Sequence, residues 1–388
     1  MKEGAMKRIG LMVIVLLFSL FAQVAQAGWT PAKRLTWTSG ESYRPDIAVD
    51  SSGHLHMAWY DKTPGNEEIY YKKSTDGGST WTPNKRLTWN SGVSYWPDIA
   101  VDSSGYLHLV WADRTPGEFN IYYKKSMDKG ATWTAGQKLS WNSGGGIGPS
   151  IAVDASDNLH LVWYNYIDLN DEIFYKKSTD GGVTWTPSRR LTWNSGGSDV
   201  PTIAVDPSGY LHVVWEDATP LNKEIFYKKS TDGGDTWAAN KRLTWNSGNS
   251  AAATITADLS GNLHVVWYDN TPGDYEIYYI KSADGGAAWT TSERLSWTSD
   301  NSYQPAMSIG SSSNLHVVWY DDTPGNREIY YTKSTDGGAT WTTSQRLTWT
   351  SGVSWHPAIC TDASGNPYVF WQNNAPGNHE IYYKKNIL

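Results

Sequence analysis

Two carboxylates, Asp199 and Glu216, and three arginines, Arg44, Arg114 and Arg327, stand apart because the sequence around them repeats and they do not. A carboxylic acid and a carboxylate set side by side can give a proton to a leaving group and take one from water. Three guanidinium groups facing one cavity can clamp an anion through paired N–H donors. A second group of residues could bind without chemistry. Tyr43-Arg44, Tyr95-Trp96, Tyr303-Gln304 and Trp355-His356 set flat rings beside polar handles. Such rings stack on sugars or extended peptides at low entropic cost.

Most other polar residues recur. An octapeptide, Ser74-Thr75-Asp76-Gly77-Gly78-Ser79-Thr80-Trp81 in its first copy, returns every 52 residues, with its aspartates at Asp76, Asp128, Asp180, Asp232, Asp284 and Asp336. Lys129 replaces the first glycine of the second copy, and Ala288 the threonine of the fifth. Equal spacing at this length means a solenoid or a propeller, one supersecondary module stacked on the next. A residue present in every copy is therefore expected to be architecture, and function is sought where the copies differ.

Each unit reads as four short strands. In the first, Pro45 to Val49 is strand A, Leu55 to Tyr60 strand B, Ile69 to Lys73 strand C, and strand D runs roughly from Thr80 to Trp89. Turn residues fill the gaps, and no helical apolar period appears after residue 27. In the octapeptide, Asp76 can accept hydrogen bonds from its own turn, Gly77 and Gly78 supply backbone conformations barred to other residues, and Trp81 buries a large ring against the blade below. The motif, with its downstream tryptophan and preceding Ile-Tyr-Tyr strand, closely resembles the Asp-box, or bacterial neuraminidase repeat, of sialidase-like propellers. The resemblance runs through residues 28–388 and implies that the six boxes are structural hairpins remote from any active site.

The tryptophan ending strand D occurs seven times, at Trp37, Trp89, Trp141, Trp193, Trp245, Trp297 and Trp349, which counts seven blades. Residues 28–37 read as a lone strand D that pairs with the C-terminal A, B and C strands, closing the ring and removing free sheet edges. The expected fold is all-β: a seven-bladed propeller of 52-residue, four-stranded blades over residues 28–388. Sialidases are six-bladed, which sets this chain apart from them.

In such a meander the D–A and B–C loops share one face, and the A–B turns and boxes share the other. Two consecutive D–A positions vary round the ring: Tyr43-Arg44, Tyr95-Trp96, Ile147-Gly148, Asp199-Val200, Ala251-Ala252, Tyr303-Gln304 and Trp355-His356. The aromatic pairs fall in blades six, seven, one and two, contiguous once the ring closes. They form an expected binding arc, or pack among their own loops. The resemblance implies a competing hydrolase reading, with Arg44, Arg114 and Arg327 on a substrate carboxylate and Asp199 with Glu216 as the acid/base pair. The family's Phe-Arg-Ile-Pro signature is absent.

Six histidines, from His56 to His316 in steps of 52, share one strand B slot, with Tyr368 in the last blade. Six blades hold them too far apart to share an ion, so each is expected to make a structural hydrogen bond. Asp61 and its equivalents are expected to cap the B–C turn. Cys360 stands where other copies have alanine, as a small buried residue.

Residues 1–27 read as a secretory signal peptide: Lys2, Lys7 and Arg8 precede an apolar run from Ile9 to Ala22, and Ala25-Gln26-Ala27 is a small-x-small cleavage site. The remaining 29 basic and 38 acidic residues give a net charge of −9, with both signs in every repeat. This argues against nucleic acid or an anionic membrane as partner. The expectation is a secreted or periplasmic monomer, not inserted in a membrane after cleavage, that takes a glycan or protein ligand and needs no cofactor or metal.

Overall fold

The computed structural model describes residues 28–387, apart from Pro64, Pro116, residues 142–143, Asp168, Pro220, Ser311 and Pro324. The signal segment lies outside the described residues. Among them every regular element is a strand, and no helix is long and apolar enough to cross a membrane. The first sheet takes Ser42–Val49, Leu55–Asp61, Glu68–Ser74 and Lys85–Arg86 as strands A to D of an antiparallel meander. Five more sheets repeat that order. The seventh combines Ser354–Thr361, Pro367–Asn373 and Glu380–Ile387 with the N-terminal Gly28–Trp29 and Lys33–Arg34. Gly28 pairs with Ile387 and Arg34 with Tyr382, so the ring closes as expected.

Strand B lies between neighbouring sheets and is buried on both faces, so Leu55, His56, Met57, Ala58 and Trp59 are all inaccessible. A buried histidine must be satisfied. Nδ1 of His56 meets the Tyr71 hydroxyl at 2.7 Å and Nε2 meets Asp50 Oδ2 at 3.4 Å. Four further blades repeat this relay in full. In blade six Gly310 replaces the aspartate, and His316 keeps only its tyrosine. Asp61 caps its turn by accepting from the Thr63 amide at 2.7 Å and the Ser42 hydroxyl at 2.6 Å.

Each Asp-box is a closed hairpin. Ser74 Oγ donates to Asp76 Oδ1 and accepts from the Gly78 amide; the Thr80 amide and hydroxyl donate to the two oxygens of Asp76 at 2.8 and 2.6 Å. The box docks on the preceding blade, where Trp133 packs edge-on against Tyr71 with ring centres 5.2 Å apart. Gly78 has φ +87°, and a Cβ there would fall 2.6 Å from the Tyr383 hydroxyl, so both conformation and space demand glycine.

Two expected strands differ. Strand D pairs over only two residues, Lys85–Arg86, before the chain leaves the sheet at this outer edge. Strand A starts earlier, at Ser42, because a bulge between Tyr43 and Asp46 takes the variable pair into the ladder. Cys360 is buried and unpaired.

Burial pushes His56, His264 and His316 down to about 4 and lowers the other three. Folded values below the ordinary 6.5 stabilise the protein above about pH 6.5, and that stabilisation is lost as pH falls toward 4. For His56, His264 and His316 this amounts to roughly 3 kcal/mol each. Urea midpoints should therefore drop steeply across that window. His264→Tyr, which copies Tyr368 of the last blade, should flatten the slope; an unaltered slope would mean these histidines titrate normally.

Candidate binding site at the channel mouth

The bulge in strand A recurs in all seven blades and sets its second residue in the left-handed region, with φ between 46° and 57°. Only Gly148 does this freely; at the six other positions a side chain costs on the order of 1 kcal/mol. The bulge divides the variable pair. Arg44, Trp96, Gly148, Val200, Ala252, Gln304 and His356 line a cavity of about 560 Å³ at the mouth of the central channel. Six of their predecessors lie outside that lining, between blades; Ile147 lines the cavity as well.

Those outward rings form a continuous half-exposed arc. Trp355 stacks on His379 at 5.5 Å, His379 on Tyr43 at 4.9 Å, Tyr43 on Tyr60 at 5.3 Å, and Tyr60 meets Tyr95 at 5.1 Å. Tyr95 packs against Trp96 and Phe119. On the other side Tyr303 packs with Tyr268, Tyr275 and Tyr320, and the Arg327 guanidinium joins the two stretches, 5.2 Å from the Tyr320 ring and 4.9 Å from that of Trp355. The arc spans blades five to two, and its rings pack on one another while remaining partly open.

The three singular arginines do not converge. Arg114 is exposed and donates to Gly117 O in its own loop at 3.2 Å, and Arg327 is tied to Asp322 at 3.3 Å. Arg44 alone lines the cavity. Its guanidinium lies 5.6 Å from the Trp96 ring with no carboxylate partner among the described residues, and burial lowers its pKa. Around it Gln304 Oε1, His356 Nδ1, Gln372 Nε2 and Trp355 Nε1 are buried polar atoms without a hydrogen-bond partner among the described residues. Burial and the nearby Arg44 push His356 down to about 3, so its ring is neutral.

Asp199 and Glu216 face each other across strands A and B of blade four, outside the residues that line the cavity. Burial and then Glu216 push Asp199 up to about 8, so it is protonated at neutral pH and bonded to its partner. Lys223 donates to Glu216, which also accepts from the Ala252 amide at 2.7 Å. Gln372 does the same in blade seven, holding the Arg44 amide at 2.9 Å. Direct contact between the two carboxyls is closer than the roughly 5–5.5 Å of a retaining or 6.5–9.5 Å of an inverting glycosidase pair.

One carboxyl pair escaped the sequence reading. Asp46 and Asp98 line the cavity one layer below the mouth, accept from the Ile99 and Ile151 amides of the next blades at 2.7 and 3.2 Å, and hydrogen-bond each other. Burial raises both, and Asp46 raises Asp98 further. The signal was available: their slot reads Asp, Asp, Ser, Thr, Thr, Ala, Ala round the ring. So was the slot of Phe119, Tyr275 and His379, which reads Glu67, Phe119, Asp171, Lys223, Tyr275, Arg327, His379 and never repeats.

A metal could be shared by Asp50, His54 and His56, whose ligand atoms lie within 4.8 Å of one another. The Lys129 ammonium sits 3.3 Å from Asp50, where it already supplies a cation.

The chain matches the family model of the BNR repeat-like domain over residues 68–270, and that of a BNR repeat-containing family member over residues 192–353. The first match covers more than half of the chain, which therefore belongs to the BNR repeat family of propellers. A xyloglucanase from Paenibacillus sp. is 26% identical over 282 residues, 62% of this chain but 24% of that protein, so the chain spans about a quarter of this curated relative. Among solved structures, a protein of unknown function from Dyadobacter fermentans superposes with a TM-score of 0.58 at 16% identity, over 92% of this chain and 99% of that one. A Hadza microbial sialidase gives 0.54 at 17% over 87% and 73%, and the α-L-arabinanase of Penicillium chrysogenum 0.54 at 16% over 78% and 98%. At such identities the likeness is one of fold.

Asp199 carries a pH signature of opposite sign to the histidines. Its folded value lies above the ordinary 3.8, so its contribution is complete below about pH 4 and lost as pH rises through 8. Asp199→Asn should gain stability over the parent by at least about 1 kcal/mol more at pH 8 than at pH 5 in denaturant titrations. An equal shift at both pH values would contradict a protonated Asp199.

Proposed function

We propose that the protein is a secreted or periplasmic glycan-binding propeller that holds its ligand across the channel mouth without chemistry. Arg44, Trp96, Gln304 and His356 contact the sugar, and Tyr43, Tyr95, Tyr303 and Trp355 frame it. One observation carries the reading: a guanidinium with no carboxylate partner shares a cavity with orphaned polar atoms of Gln304 and His356. Buried polar atoms demand partners. A sugar ring offers hydroxyls to those atoms, an electronegative group to Arg44, and an apolar C–H face to Trp96 and Tyr164. The xyloglucanase, sialidase and arabinanase among the similar proteins favour a glycan over a protein ligand. The close contact within each carboxyl pair favours binding over hydrolysis.

Calorimetric titration of residues 28–388 with 3′-sialyllactose, arabinobiose and xyloglucan oligosaccharides tests this. One ligand class should bind, and Arg44→Ala or Trp96→Ala should weaken it at least tenfold, about 1.4 kcal/mol, without changing the melting temperature. Unchanged affinity would sink the assignment. Release of reducing sugar by the parent, abolished in an Asp199→Asn, Glu216→Gln double variant, would instead establish the hydrolase.

A further inference from the structure

The tryptophan that ends strand D, expected from its sevenfold recurrence to be architecture, is the most consistently exposed large side chain of the molecule. All seven copies leave between 66% and 76% of their surface open, while the leucine two residues before each is buried or nearly so. A large apolar ring excluded from the core in every repeat needs another purpose.

Each ring is also held. In blade three, Arg190 Nε donates to Thr192 O at 2.6 Å and the guanidinium meets the fully buried Glu172 carboxylate at 2.7 Å, which sets it 5.8 Å from the Trp193 ring. The neighbouring blade adds Lys228 on the same ring, also at 5.8 Å. Lys228 donates to Leu191 O and forms no ion pair among the described residues, and burial lowers its pKa. Where Ile280 and Thr332 replace that lysine, Arg242 and Arg294 close to 4.3 Å on their own tryptophans. One or two cations therefore fix each ring and leave it open to solvent.

A cleft of about 480 Å³ opens beside Trp193, walled on its far side by Asp235, Thr236 and Trp237 of the next Asp-box. The indole N–H of Trp237 is a buried donor without a partner, as it is in the boxes of four other blades. The cleft thus combines an exposed ring with the Arg190 and Lys228 cations that flank it.

We infer that the seven exposed tryptophans, one of which opens on this cleft, are saccharide subsites arranged round the rim to grip one polymeric glycan at several points, independently of the channel mouth. A protein partner needs a contiguous patch of about 800 Å² on each side. The rim offers instead one ring per blade, each bordered by charged groups, which suits a ligand built of small repeating units. A pyranose presents C–H bonds to the ring face and hydroxyls to the cations. Single contacts are weak, and their number supplies the affinity.

Native electrophoresis of residues 28–388 through gels containing xyloglucan, arabinan or polysialic acid tests the proposal. At least one polymer should retard the parent. Trp193→Ala alone should weaken retardation roughly twofold, and alanine at all seven positions at least a hundredfold, as expected for lost multivalency. Folded rim variants should keep the calorimetric affinity of the mouth for oligosaccharides, so the two sites fail separately. A Trp193, Trp245, Trp297→Ala variant, with an intermediate loss, serves should the sevenfold variant not fold. The inference is overturned if no polymer retards the parent, or if folded rim variants migrate like it. A rim substitution that changes only the sedimentation coefficient would likewise overturn it, in favour of contact between copies.

Discussion

In five of the seven blades a phenol hydroxyl joins the sheet to the next one, and the disc is organised round it. Tyr71 meets His56 Nδ1 inside its own sheet and donates to Lys129 O in the hairpin of the following blade. Its ring packs on Trp133, and Gly130 makes room by having no Cβ. In the last blade Tyr383 reaches Gly78 O and ties that blade to the first. A buried hydroxyl with partners on both sides is expensive to leave unpaired, so blade spacing is fixed by hydrogen-bond length as well as by packing. The box aspartates matter to function only through this link, by shaping the hairpin that docks.

Fixed spacing decides what the mouth can be. Strand A carries its bulge at the same height in every blade, and its strained second residue is held by the surrounding sheets. Glu216 and Gln372 hold the next blade's bulge directly through its amide. The mouth is therefore preformed: Arg44 and Trp96 stand at a channel whose walls cannot easily move, which reduces the entropy lost on binding.

Much of the fold was legible because repetition reveals equivalence. The boxes, the seven blades, the closing N-terminal strands, the histidine bond and the Asp61 cap all follow from asking what 52-residue spacing and turn chemistry require. Equivalence does not reveal direction. Tyr43 and Arg44 are adjacent, and only the bulge sends one between blades and the other into the channel. Trp89 recurs as faithfully as the buried Trp59, yet strand D has a partner on one side only and leaves the sheet after Arg86, carrying the ring outward. Asp46 and Asp98 stayed hidden for a different reason. They sit 52 residues apart inside a strand that reads as core, and their contact exists only because neighbouring A strands converge at the axis.

Seven bulges of one shape, each presenting a single side chain to a common cavity, make the mouth a combinatorial surface. The backbone conformation at these positions is the same under arginine, tryptophan, glycine, valine, alanine, glutamine and histidine. Any one can be exchanged without renegotiating the others, since the strain is borne by the scaffold and not by the residue chosen. Specificity in this architecture can diverge one blade at a time, and a duplicated repeat brings a ready-made letter of the recognition code with it.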